Sequence, residues 1–222
     1  MCGTHISERK GESRKAIEVA KELIKNAIAE ELDIKTFTSK TFRIAGMGCS
    51  VGPNTLLAVR NIIDAAEHKF QSLLERGSTC YLPEFQVFFN DQASNDFNQL
   101  FTSLSPETHY FVAGVPVSFY GRVPEEVLDK RSPAWNRGRV HYSNSTSEVV
   151  KAFEAQYAKD FGKFLEVRAH EFVQGGLMAL IIPGRPNGLP HSKAYTNKAF
   201  ELLESSFIDM AKKVMMNDIS LI

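Results

Sequence analysis

The chain has 222 residues, 43% of them hydrophobic, which is enough for one sizeable core but short for two domains. Lysine plus arginine and aspartate plus glutamate balance at 26 each, so bulk charge indicates neither nucleic-acid nor membrane-surface binding. No signal-peptide core or bilayer-spanning run is present, and the cysteines at positions 2, 49 and 80 lack metal or disulfide spacing, so we expect a reduced, cytoplasmic protein.

Residues 1–14 show no apolar periodicity and are expected to form a loose tail. Beyond them, five segments have the apolar spacing of helices and four are short apolar runs typical of buried strands. The predicted elements are, in chain order, helix 14–32, strand 42–48, helix 53–76, strand 85–90, helix 94–104, strand 110–115, a loop over 123–138, helix 147–173, strand 177–182 and helix 195–216. Strands separated by helices predict a parallel α/β sheet within one domain over 1–222.

Ligands of such sheets bind at the carboxyl ends of the strands. That rule selects four loop clusters, at 46–54, 90–92, 117–121 and 183–185. In the first, Gly46, Gly48 and Gly52 are spaced G-x-G-x-x-x-G, one residue longer than the dinucleotide fingerprint. This spacing alone leaves a cofactor loop and a purely structural turn both open. Asp91 ends the second predicted strand, where a carboxylate can accept hydrogen bonds from ribose hydroxyls.

Several motifs, in order along the chain, resemble the plant SABATH methyltransferases. They are GCSVGPNT at 48–55, FND at 89–91, NDFN at 95–98, VPVSFYGR at 115–122, SPAWNRGR at 132–139, and GGLM followed by PGRP within 175–186. The family includes carboxyl methyltransferases for salicylate, jasmonate and benzoate and the N-methyltransferases of caffeine synthesis. The resemblance covers residues 14–210 and implies a Rossmann-like, mostly parallel sheet flanked by helices, S-adenosylmethionine as cofactor, and a small carboxylic acid or a xanthine as methyl acceptor.

The resemblance also implies which residues form the cofactor site. Gly48 belongs to the cofactor loop, and Cys49 and Asn54 would line its methionine end. Asp91 and Gln92 would hold the ribose and the adenine, although the family usually has leucine at the position of Gln92.

Three more residues complete the implied site. Ser118 and Phe119 would close over the adenosine, and Asn136 matches a magnesium ligand of relatives. Simpler interpretations stay open: Asp91 could cap a helix, Cys49 could be a small buried residue, and Asn136 could be a turn residue.

The sequence departs from the family pattern at four places. Gly46 stands where relatives have an aspartate, and the tail before Arg14 does not match the start of relatives. The match passes directly from Arg122 to Val123, where relatives have a central strand and the loop that holds the acceptor. The chain also ends before the rest of the metal site and most of the helical cap. We therefore expect a truncated and internally deleted copy that lacks one central strand and most of the helical cap of relatives. The absence of that strand leaves backbone groups in the middle of the sheet unpaired unless strands 42–48 and 177–182 pair directly.

Three alternative functions are considered for this chain. The first is methyl transfer from S-adenosylmethionine to a carboxylate or ring nitrogen of a small plant metabolite, weak or lost because the acceptor loop is missing. The second is an inactive cofactor-binding protein or dimer partner derived from such an enzyme, acting as a homodimer or with a full-length relative. The third, a nicotinamide-dependent oxidoreductase, rests on the glycine turn alone.

Overall fold

A computed structural model describes residues 3–34, 37–76, 81–117, 121–137, 139, 141–142, 144–182, 184, 187–189, 193 and 195–214. The chain divides into two compact units. The first comprises Met1–Phe119 and Glu171–Ile181, and the second comprises Tyr120–His170 and Ile182–Ile222. That 1–222 forms one methyltransferase domain stays a prediction.

The first unit contains a three-stranded parallel sheet with helices before and between its strands. Its elements are helix α1 (Gly3–Glu31), strand β1 (Thr41–Met47), helix α2 (Pro53–Glu75), strand β2 (Glu84–Asp91), helix α3 (Phe97–Thr102) and strand β3 (Phe111–Pro116). The strand order is β1-β2-β3, with Ile44 beside Val87 and Val87 beside Val112. The predicted α/β class with a parallel sheet flanked by helices is confirmed.

Strand β2 is the centre of this unit because it pairs on both sides. Phe85, Val87 and Phe89 are buried on it, whereas Ile44 is the one buried side chain of β1. Helix α2 covers the sheet with an apolar face that includes Val59 and the fully buried Ala66. Burial alternates along β2 up to Phe89 and is continuous from Phe89 to Asp91, at the carboxyl end of the strand.

Helix α1 packs against α2 through a second cluster built from Ile28, Leu32, Ile34 and Phe70. The Lys69 ammonium donates hydrogen bonds to the carbonyls of Ile28 (2.8 Å) and Leu32 (2.5 Å). These carbonyls lie at the carboxyl end of α1, where a cation is electrostatically favourable. Helix α1 begins at Gly3, so residues 3–14 are helical where we expected a loose tail.

The prediction of a fourth strand is wrong. Residues 177–182 form no strand, and Leu177, Met178, Leu180, Ile181 and Ile182 are 38–51% exposed. Among the described residues, β1 pairs with β2 alone. An apolar run becomes a strand only where a neighbouring backbone satisfies its N–H and C=O groups. The direct pairing that could have replaced the missing strand is not formed.

Two helix boundaries also differ from expectation. The helix expected over 94–104 spans Phe97–Thr102, because the Asp96 carboxylate accepts a hydrogen bond from the Gln99 N–H (3.0 Å) and caps the helix there. The helix expected over 147–173 ends at Glu171.

The second unit is helical. It contains a short 3-10 turn (Glu125–Val127) within the predicted loop, helix α4 (Ser147–Glu171) and helix α5 (Tyr195–Val214); residues 215–216, at the end of the predicted last helix, lie outside the described residues. An ion pair between Arg139 and Glu204 (3.0 Å) joins the loop before α4 to α5. The His141 ring stacks on Phe200 with centroids 4.3 Å apart.

Candidate cofactor site

The turn after β1 is fixed to the end of β2 by backbone hydrogen bonds. The N–H groups of Gly48 and Cys49 both donate to the Asn90 carbonyl, at 2.9 and 3.1 Å. Gly48 has φ +72° and Ser50 has φ +51°, in the left-handed region that glycine enters without strain. The positive φ at position 48 explains why this motif has a glycine there.

Asp91 clamps this turn from the carboxyl end of β2. Its Oδ2 accepts a hydrogen bond from the Ser50 N–H (2.6 Å), and its Oδ1 accepts one from the Gln92 N–H (2.7 Å). The side chain is 5% exposed. Backbone N–H groups that donate to a carboxylate form strong charge-assisted bonds, so Asp91 holds two loop segments at one edge of the sheet.

Cys49 lies within this edge as a neutral thiol. Burial, and then the charge of Asp91, raises the pKa of Cys49 to about 11. Since the thiolate is the reactive form of cysteine, Cys49 is no nucleophile near neutral pH. The Asn95 side chain donates to the Ser50 carbonyl (3.2 Å) and lies 3.7 Å from the Cys49 sulfur.

The structure describes some of the other residues predicted for this site and not others. Gln92 is exposed directly beyond Asp91, and Asn54 is half-buried in the first turn of α2. Gly52 is the N-cap of α2 and has no side chain that could occupy its first N–H groups. A free helix N-terminus favours a negatively charged ligand group. Ser118 and Phe119 lie outside the described residues.

Gly46 lies on β1 beside this turn. A Cβ there would meet the Phe89 ring at 3.4 Å and the Thr55 Oγ1 at 4.0 Å, which is ordinary van der Waals contact. A Cβ at this position therefore fits without displacing a neighbour.

The sequence did not lead us to predict a role for the Asn90 side chain. Its Nδ2 donates to the carbonyls of Val115 (2.9 Å) and Val117 (3.1 Å), so it ties β3 to β2 at the same edge. Its place directly before Asp91 in the motif FND was the available signal, since a polar side chain inside an apolar strand needs partners.

Asn136, which the resemblance matches to a magnesium ligand, has both polar atoms of its side chain hydrogen-bonded within the chain. Its Oδ1 accepts a hydrogen bond from the Ser145 hydroxyl and its Nδ2 donates to the Arg139 carbonyl (3.3 Å). Mg²⁺ is usually held through one or two carboxylates and demands octahedral oxygen ligands. No group of three or more His, Cys, Asp or Glu side chains in the described part of the chain could hold a metal ion. The described donor set therefore does not fit magnesium.

Together, the parallel sheet and the hydrogen-bonded turn at its carboxyl edge define a Rossmann-like α/β unit. A sequence profile described as SAM dependent carboxyl methyltransferase matches residues 11–123 and 122–220. The chain belongs to this family, as the sequence predicted, and the cofactor of the family is S-adenosylmethionine.

Curated relatives and a solved structure agree with this assignment. The chain is 41% identical over 228 residues to loganic acid O-methyltransferase of Catharanthus roseus, covering 91% of this chain and 60% of the relative. It is 40% identical over 219 residues to farnesoic acid carboxyl-O-methyltransferase of Arabidopsis thaliana (89% and 61%) and 36% identical over 225 residues to paraxanthine methyltransferase 2 of the same plant (90% and 62%). The structure of a loganic acid methyltransferase with SAH superposes with a TM-score of 0.82 at 40% identity, over 92% of this chain and 64% of that one.

Two further findings bear on the sequence predictions. The chain spans about three fifths of the length of the relatives it matches. Within the described ranges, none of the helices has the length and apolar character needed to cross a bilayer.

Proposed function

We propose that this chain binds S-adenosylmethionine at the carboxyl edge of its sheet and transfers the methyl group to a carboxylate, or a ring nitrogen, of a small plant metabolite. The contact between Ser50 and Asp91 carries this proposal, because it brings the turn after β1 and the acidic end of β2 to one place. Relatives named for loganic acid, farnesoic acid and paraxanthine support an acceptor of this class.

The residues of the site have separate roles in this proposal. The glycine turn and the N-terminus of α2 take the methionine end, where Cys49 and Asn54 lie. Asp91 and Gln92 hold the ribose and adenine, Asp91 through oxygen lone pairs that its two backbone bonds leave free, and Ser118 and Phe119 cover the adenosine. Magnesium has no part in the proposal.

The cofactor supplies an activated methyl group on a sulfonium sulfur, which a nucleophile can displace in line. A carboxylate acceptor is already ionised near neutral pH, so the chain needs no general base. Its contribution is to position the two reactants and exclude water. A misplacement of about 1 Å can cost about 10²-fold in rate, and by resemblance the chain lacks the acceptor loop, so we expect weak turnover.

A second candidate is a cofactor-binding protein without turnover, acting alone or as a dimer partner of a full-length relative. The exposed apolar segment 177–182 and the β1 edge, paired with β2 alone among the described residues, favour it. A sheet edge without a second neighbour and an exposed apolar segment are both features of association surfaces.

One experiment separates the two candidates. Purified protein is incubated with methyl-labelled S-adenosylmethionine and a panel containing loganic acid, farnesoic acid, salicylic acid and paraxanthine. Labelled ester or N-methyl product supports methyl transfer. Binding of S-adenosylhomocysteine without product supports the second candidate, and absence of both contradicts the two together.

A further inference from the structure

Asn90 links three segments at the carboxyl edge of the sheet. Its backbone carbonyl accepts from the N–H groups of Gly48 and Cys49, and its Nδ2 donates to the carbonyls of Val115 and Val117. The side chain is 7% exposed. One buried residue therefore holds the turn after β1 through its backbone carbonyl and the end of β3 through its side-chain amide.

The orientation of this amide follows from its partners. Both side-chain contacts are carbonyl oxygens, which can only accept, so the NH₂ group must be the one that meets them. The Oδ1 atom is buried and has no hydrogen-bond donor among the described residues. A buried acceptor without a donor is unfavourable, and native proteins normally supply one from the chain, from water or from a ligand.

We propose that Asn90 is a further cofactor-binding residue, whose Oδ1 accepts a hydrogen bond from the adenosine half of S-adenosylmethionine. The inference rests on the proposed function. The adenosine half is favoured because Asn90 directly precedes Asp91, and because Val117, to which its Nδ2 is bonded, directly precedes Ser118 and Phe119. The adenine amino group and the ribose hydroxyls are the donors of that half.

The first test compares the dissociation constants of two ligands by isothermal titration calorimetry. S-adenosylhomocysteine contains both halves of the cofactor, whereas 5′-methylthioadenosine lacks the amino-acid half. Asn90→Ala should weaken both ligands at least tenfold, equivalent to about 1.4 kcal/mol, at a temperature where circular dichroism shows the variant folded. Asn197→Ala is the matched control, since Asn197 is also 7% exposed but lies on α5 of the second unit, and it should leave both constants unchanged.

The outcomes separate the inference from the function on which it rests. If the unaltered chain binds neither ligand, the proposed function fails. If the unaltered chain binds both and Asn90→Ala binds both equally well, or loses affinity for S-adenosylhomocysteine alone, the inference about Asn90 is overturned while the proposed function stands.

A second test uses the unaltered chain and does not depend on the folding of a variant. In protein labelled with ¹³C at asparagine, a hydrogen bond newly accepted by Oδ1 should move the Asn90 side-chain carbonyl resonance downfield on addition of 5′-methylthioadenosine. This readout also distinguishes direct contact from positioning through Nδ2. A resonance that does not move while the ligand binds would overturn the inference.

Discussion

The backbone N–H of Ser50 and the carboxylate of Asp91 are 2.6 Å apart, although 41 positions separate them in the sequence. A parallel pairing of β1 with β2 makes this possible, because both strands end at the same edge. The glycine turn and the acidic residue therefore lie together at one edge of the sheet.

Asp91→Asn tests this contact. The substitution replaces a charged acceptor of two N–H groups by a neutral amide, and hydrogen bonds to charged groups contribute about 1.5–3 kcal/mol each. We expect the free energy of unfolding to fall by about 2 kcal/mol and S-adenosylhomocysteine to bind at least tenfold more weakly. Urea denaturation and titration calorimetry measure the two effects.

Asp96→Asn is the matched control for that substitution. Asp96 caps α3, and asparagine is an equally good N-cap, so stability and affinity should both be preserved. Equal losses in the two variants would contradict a specific role for Asp91.

Gly46→Asp restores the carboxylate that the family resemblance assigns to β1. The Cβ fits without a contact shorter than 3.4 Å, so the variant should fold. We expect about tenfold tighter binding of S-adenosylhomocysteine, equivalent to about 1.4 kcal/mol. Gly46→Asn has nearly the same shape without the charge and should bind no more tightly than the unaltered chain. A tighter asparagine variant would show that charge is not the cause.

Because the pKa of Cys49 is raised in the folded chain, we expect the stability of the chain to depend on pH. Its pKa is raised from an ordinary value of 9.0 to about 11 in the folded chain, so the unfolded chain loses this proton first. Stability from this thiol is therefore complete below pH 9 and falls between pH 9 and 11, by about 1.4 kcal/mol per pH unit. Cys49→Ala should remove this part of the pH dependence in urea denaturation. If stability fell equally steeply with pH above pH 9 in the unaltered chain and in Cys49→Ala, a raised pKa of Cys49 would be contradicted.

Lys69→Met tests the contact between α1 and α2. The variant keeps much of the side-chain volume but removes the Lys69 donor from the Ile28 carbonyl, while the Leu32 carbonyl keeps its bond from the Ile34 N–H. We expect a loss of about 1–3 kcal/mol in stability, the cost of leaving a buried polar group without its partner. Lys25→Met, at an exposed position of α1, should change stability by less than about 0.5 kcal/mol. Thermal denaturation of the two variants compares them, and S-adenosylhomocysteine affinity should be unchanged in both.

Because the segment 177–182 is exposed, we expect substitutions in it to have little effect on stability. Leu180→Ser should change the free energy of unfolding by less than about 0.5 kcal/mol, because Leu180 is exposed and lies outside any strand. Phe89→Ala, in the buried centre of β2, should cost about 3–5 kcal/mol. A large loss in Leu180→Ser would mean that the segment is part of the packed core in solution.

The sequence was sufficient for the first three strands and the cofactor edge. Apolar runs at Ile44, Val87 and Val112 became neighbouring strands, and the rule for carboxyl ends placed Asp91 beside the turn. Periodicity failed at Leu180 for a physical reason, since strand formation depends on a pairing partner that the local sequence does not reveal. Asn90 was missed because its side-chain partners lie 25 and 27 positions away.

The central claim is that the turn after β1 and the end of β2 form an S-adenosylmethionine site. Titration calorimetry of the unaltered chain with S-adenosylhomocysteine and, separately, with NAD tests it most directly. We expect one S-adenosylhomocysteine bound per chain and no binding of NAD. Binding of NAD instead, or of neither ligand by a folded chain, would contradict it.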